Sequence, residues 1–168
     1  NILIVTTALE QTWKTSGSII FLGKWCSKYD NLKKLKKENY RISDYHWDDR
    51  QKFLKDYLFL SNLNKKLLKK LAKELNKYHK TNYSERYWNI IIGPWLITFI
   101  QIVFERHENL KKLINNEKSY ETIILKIDSN KMIPENFEKF QRLILTETWN
   151  HFIYSSIISS DIFKFAIN

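Results

Sequence analysis

The chain has 168 residues, enough for one domain with a buried core, and its 43% apolar and 15% aromatic content excludes a disordered chain. Its net charge of +10 lies in one segment: residues 24 to 80 carry 17 Lys or Arg against 7 Asp or Glu, the remainder 11 against 11. A single cysteine, Cys26, excludes an internal disulfide and fits a reducing compartment.

In chain order, ILIVT (2–6) and SIIFL (18–22) are short, β-branched and apolar, and predict buried strands. TIILKI (122–127) predicts a third. Long helical patterns separate the second strand from the third and follow the third. Apolar strands interleaved with helices argue for an α/β domain with a mostly parallel sheet. In such sheets ligands bind outside the carboxyl ends of the strands. The segments that close the three strands are therefore the first place to look for a site: Thr6-Thr7-Ala8, Gly23-Lys24-Trp25-Cys26 and Asp128-Ser129-Asn130. Thr7, Lys24 and Trp25 become candidate substrate contacts.

A first long helix is expected from about Asp49 to Tyr78. Phe53, Tyr57, Leu60, Leu67, Leu71 and Tyr78 recur at spacings of three, four and seven, and lysines fill the other face. That lysine face has two readings. It attracts phosphate-bearing partners such as an anionic membrane surface, or it is a solvated face in a chain of biased composition, with 23 Lys to 5 Arg and 22 Ile. YHWDDR (45–50) sits at the start of this helix. Asp48 with Gln51 three residues on matches a capping box, and Asp49 suits the first turn. The sharper reading leaves one of these carboxylates, with His46, facing a cleft as a base or a ligand.

A second long helix, 84 to 107, is almost wholly apolar from Ile90 to Phe104. Fifteen residues fall short of the ~20 of a membrane span, so a buried central helix is expected, with a span or re-entrant segment as the alternative. Pro94 predicts a kink, and Gly93 the close approach of a neighbour such as a strand. A last helix is expected from Pro134, burying Phe137, Phe140, Ile144, Trp149, Phe152 and Ile153, with His151 beside that stripe as a core residue. No dinucleotide, Walker, zinc or hydrolase-elbow motif is present, and no nucleic-acid partner is expected.

TTALEQTW (6–13), FLGKWC (21–26), YHWDDR (45–50), ERYWNIIIGPWL (85–96) and TETWNHFIY (146–154) occur in that order. Together they resemble the N-terminal part of a family of transferases from bacterial O-antigen and surface-polysaccharide loci. Members of that family are longer, and their C-terminal half is similar to CDP-glycerol glycerophosphotransferases, which have a two-domain glycosyltransferase (GT-B) architecture. The resemblance implies that residues 1–168 form a single Rossmann-like N-terminal domain, a fragment of a longer chain. It implies no cofactor, a nucleotide-sugar or CDP-polyol donor bound by a further domain, a glycan or lipid-linked glycan acceptor, and a cytoplasmic setting at the inner membrane face. His46, Asp48, Asp49, Arg50, Arg86, Trp88, Gly93, Pro94 and Trp95 belong to the family's pattern. Lys24 stands where an acidic residue is expected, and Asn89 where a basic one is. On this reading His46 or Asp49 deprotonates an acceptor hydroxyl, no metal is needed, and Arg50 or Arg86 steadies phosphate or carboxylate charge. Trp88 and Trp95 join the candidate substrate contacts. The rival reading is a non-catalytic module that docks an acceptor or a membrane.

Overall fold

The computed structural model describes residues 2–13, 17–27, 33, 35, 36, 39–114 and 120–160, and the backbone of 166 and 167. Five strands form one parallel sheet in the order β3-β2-β1-β4-β5: β1 (Ile2–Val5), β2 (Ile19–Phe21), β3 (Tyr40–Ile42), β4 (Tyr120–Thr122) and β5 (Ala166–Ile167). β1 and β2 read as unbroken apolar runs because both faces are covered. Ile4, Val5, Ile19, Ile20, Phe21 and Leu22 are all buried. Each such side chain contributes about 1.5–3 kcal/mol by leaving water. Leu3 pairs with Ile19 on one side and Glu121 on the other, which fixes β1 at the centre.

Two of these strands, β3 and β5, were not expected. β4 is shorter and earlier than the 122–127 strand expected for it. The chain leaves the ladder at Ile123, and the N–H of Leu125 is taken by a side chain instead of a neighbouring strand. Asp128 therefore closes no strand. It caps the 3-10 turn Ser129–Met132 by accepting from the N–H of Asn130.

The helices are α1 (Arg50–His79), α2 (Glu85–Ile114), α3 (Phe137–Leu143) and α4 (Glu147–Ser159). The expected last helix is thus two, divided where Thr146 caps α4. The cap of α1 is Asp49 and not Asp48, which lies in the 3-10 turn His46–Asp48. The helix runs through Pro94, and Gly93 is approached by the side chain of Asn89, one turn earlier in its own helix, rather than by a strand.

The contacts cluster in two units. Unit 1 is 1–46 with 106–168, and unit 2 is 47–105. Unit 1 holds the sheet, covered by Leu110 and Leu113 of α2 and Tyr154 and Ile158 of α4. Unit 2 is a pair of helices joined through Leu60, Leu68, Leu96 and Ile100. Only part of the expected α1 stripe is buried. Leu60 is inside, whereas Phe53, Tyr57 and Tyr78 are exposed. A straight helix drifts about 20° per heptad, so one stripe of 3, 4 and 7 spacings cannot face one partner over thirty residues. Nor is α2 the buried central helix expected. It is long and apolar enough to cross a membrane, and only 22% of its apolar window is buried.

Candidate functional site

In an open parallel sheet the crevice opens at the carboxyl edge, where the strand order reverses. Here that point lies between β1 and β4. β1 leads into Thr6-Thr7-Ala8, and β4 into Ile123–Leu125.

Two sets of side chains build this edge. The first comes from the segment after β2. The Trp25 indole N–H donates to the carbonyl of Thr6 at 3.1 Å, and the Cys26 thiol to that of Val5 at 3.3 Å. Gly23 permits this, because a Cβ there would overlap the six-membered ring of Trp25. The Trp25 ring meets Tyr45 edge-on at 6.0 Å, and Tyr45 meets His46 at 5.2 Å. One aromatic row therefore links the ends of β1, β2 and β3.

The second set comes from α4. The Thr146 hydroxyl accepts from the Trp149 N–H at 3.3 Å and fixes the helix start. Glu147 then falls in the first turn and His151 one turn later, on the same face. Glu147 Oε2 accepts from the N–H of Ala8 at 3.0 Å, and His151 Nε2 from the N–H of Leu125 at 3.1 Å. One helix thus grips the ends of both strands that flank the reversal. Arg106 of α2 donates to Asn150 of α4 and lies 5.5 Å over the Tyr154 ring, which holds α4 in place.

The electrostatics follow from burial. His151 is 2% exposed, and desolvation holds its pKa below the usual 6.5. It is neutral, and since Nε2 accepts, its proton sits on Nδ1. That Nδ1 and the hydroxyl oxygen of Thr7 are buried and have no hydrogen-bond partner among the described residues. Such groups cost about 1–3 kcal/mol each unless a ligand or water meets them. Glu147 is half-buried.

Of the residues singled out by sequence, Thr7, Lys24 and Trp25 lie at this edge, with Lys24 exposed. His46 is buried in unit 1, its backbone N–H 3.4 Å from Asn109 Oδ1. Asp49 belongs to unit 2 and lies in solvent. Its Oδ1 accepts from the N–H of Gln51 at 2.9 Å and of Lys52 at 3.0 Å. The Lys52 bond first, then that of Gln51, holds its carboxyl below the ordinary value. Arg50 and Arg86 are exposed. Trp88 is buried with its indole N–H on Asn76 Oδ1 at 3.0 Å, and Trp95 stacks on Phe99 at 5.4 Å. Both tryptophans pack unit 2. Sequence reasoning passed over Glu147 and read His151 as core, although the E-x-x-x-H spacing inside TETWNHFIY was there to be used. Among the described residues no group of three or more His, Cys, Asp or Glu could hold a metal ion.

Among protein families, the model described as LIC12162 family transferase matches residues 2–167. Searches of curated proteins and of solved structures each return no match.

Proposed function

Because the chain belongs to the LIC12162 family of transferases, we propose that it takes the acceptor of the transfer at the carboxyl edge between β1 and β4. The donor is a nucleotide-activated sugar or a CDP-polyol, held by a further domain in a two-domain arrangement. The acceptor is a glycan, free or lipid-linked, of a bacterial surface polysaccharide, and the reaction runs on the cytoplasmic side. The observation that carries this reading is the placement of a carboxylate and a neutral imidazole, one turn apart on α4, at the ends of the two central strands.

On this reading Glu147, rather than His46 or Asp49, takes the proton of the acceptor hydroxyl. The acceptor oxygen forms its new bond to the anomeric carbon or to phosphorus, and the nucleotide leaves with the electron pair of the bond that breaks. The Nδ1–H of His151 and the hydroxyl of Thr7 orient the acceptor, and Trp25 lends a flat apolar wall of the kind a sugar ring packs against. The test is Glu147→Gln in the protein expressed from its complete reading frame, with transfer measured from nucleotide-sugar and CDP-polyol donors. A positioned base contributes on the order of 10²–10⁴-fold. A loss of that size with an unchanged unfolding midpoint is expected. Transfer near the wild-type rate would remove Glu147 from the chemistry.

A further inference from the structure

The aromatic row at the ends of β1, β2 and β3 continues beyond the groups assigned to the proton transfer. Trp25 and Tyr45 are both half-buried, with ring centroids 6.0 Å apart and planes at 83°. Two rings so placed make a corner, one a floor and the other a wall. Each is held in place. The Trp25 indole is anchored on the Thr6 carbonyl, and its ring lies where a Cβ of residue 23 would otherwise be. Tyr45 meets the buried ring of His46, its carbonyl accepts from the Lys112 ammonium at 3.3 Å, and the N–H that follows it lies 3.4 Å from Asn109 Oδ1. Rings fixed in this way lose little freedom when a ligand packs on them.

The corner is the neighbour of the carboxylate on α4. β1 runs into Thr6-Thr7-Ala8. The Thr6 carbonyl accepts from the Trp25 indole, and the Ala8 N–H donates to Glu147. Two residues of chain span at most about 7 Å, so the two sets are anchored about one sugar unit apart. The faces of a sugar ring are C–H surface, and its hydroxyls lie around the rim. An aromatic corner therefore holds such a ring by its faces. Lys24 and Asp44, the exposed neighbours of Trp25 and Tyr45 in sequence, bring hydrogen-bonding groups to the same strand ends.

We propose, on the basis of the acceptor reading above, that Trp25 and Tyr45 form a second sugar subsite. The acceptor is then recognised as two consecutive units, the reacting one at Glu147 and His151 and its neighbour in the corner. A nucleobase also packs on flat rings, but on that reading a further domain holds the donor, which leaves the corner to the acceptor. Tyr45 is a specificity residue in this arrangement. It touches the unit that does not react, and so acts on the choice of acceptor and not on the bond that forms.

The test uses the protein expressed from its complete reading frame. The probes are cellobiose, lactose and chitobiose beside the methyl glycosides of glucose, galactose and N-acetylglucosamine, titrated by saturation-transfer NMR. At least one disaccharide is expected to bind about tenfold more tightly than the methyl glycosides of its own units, the size of one aromatic packing contact. Tyr45→Ala is expected to erase that preference and Tyr45→Phe to keep it, because the ring and not the hydroxyl makes the corner. A fall of equal size for both classes of probe marks Tyr45 as packing alone and overturns the proposal. Disaccharides that bind no better than the methyl glycosides overturn it as well. So does saturation transfer to the base protons of CDP that Tyr45→Ala abolishes, since the corner would then hold the donor. Glu147→Gln separates the subsite from the base: it is expected to cut transfer for both classes of probe alike and to leave the binding preference standing. A preference lost in Tyr45→Ala beside undiminished transfer in Glu147→Gln would keep the subsite and remove the base.

Discussion

His151 offers the sharpest test of the edge described above. The folded chain holds it neutral, with a pKa below 6.5, whereas the unfolded chain titrates it near 6.5. Between those two values the unfolded state binds a proton that the folded state does not. Stability therefore rises with pH through this window and is lost as pH falls, with a slope of at most about 1.4 kcal/mol per pH unit. His151→Gln keeps an acceptor for the N–H of Leu125, because its amide oxygen can stand where Nε2 stood. It also removes the titration. His151→Ala removes both, leaving a part-buried N–H without that acceptor at a cost of about 1 kcal/mol, with lost packing in addition. Urea unfolding midpoints from about pH 5 to 8 separate these outcomes, because the other histidines cancel in the difference between variant and wild type. The Gln variant is expected to lose the extra slope below pH 6.5 and to stay within about 1 kcal/mol of wild type at neutral pH. If its slope below pH 6.5 equals that of wild type, the imidazole is not held neutral by the fold and the reasoning fails.

Gly23→Ala is expected to cost about 1–3 kcal/mol by driving Trp25 off the end of β1, and to shift tryptophan fluorescence. In a Trp25→Ala background the same change should cost far less, and a double-mutant cycle in urea reads that coupling. Asp49→Asn is expected to leave the unfolding midpoint near wild type, because asparagine caps about as well as aspartate, whereas Asp49→Ala lowers it. The lowered carboxyl pKa of Asp49 means that its contribution is present at neutral pH and fades as pH falls below 3.8.

The centre of the sheet was legible because residues 2–5 and 19–21 are buried on both faces, and that burial writes itself as a continuous apolar run. β3 was not legible. YRI is three residues long with half-exposed side chains, and nothing in its composition separates it from a loop. The start of α1 could be placed to within one residue only, since Asp48 and Asp49 offer the same chemistry and backbone geometry decides between them. The exposure of α2 could not be read at all. Apolar content says that a helix seeks cover but does not name the cover, and Ile90 and Ile91 face outward. As for the site, a parallel sheet was enough to direct attention to Thr7, Lys24 and Trp25. The other half depends on Ala8 meeting Glu147 across 139 positions, and such a meeting exists only in the fold.

The register of the sheet also governs how the chain reaches its fold. Ile2 pairs with Tyr120, so the central ladder closes across most of the sequence. Non-local parallel pairing of this kind is slow, since the entropy of closing the loop is lost before contacts reward it. The α1–α2 pair is local, joined by the short turn after His79, and helices and their pairing form orders of magnitude faster. The N–H of His46 reaches Asn109, and Lys112 donates to the carbonyl of Tyr45 at 3.3 Å, so the chain leaves unit 1 and returns to it at neighbouring points. Once the helical pair exists, some sixty residues shrink to a short tether. β3 and β4 then search for the sheet across a shorter effective loop, so helices that contribute no strand to it ease its assembly.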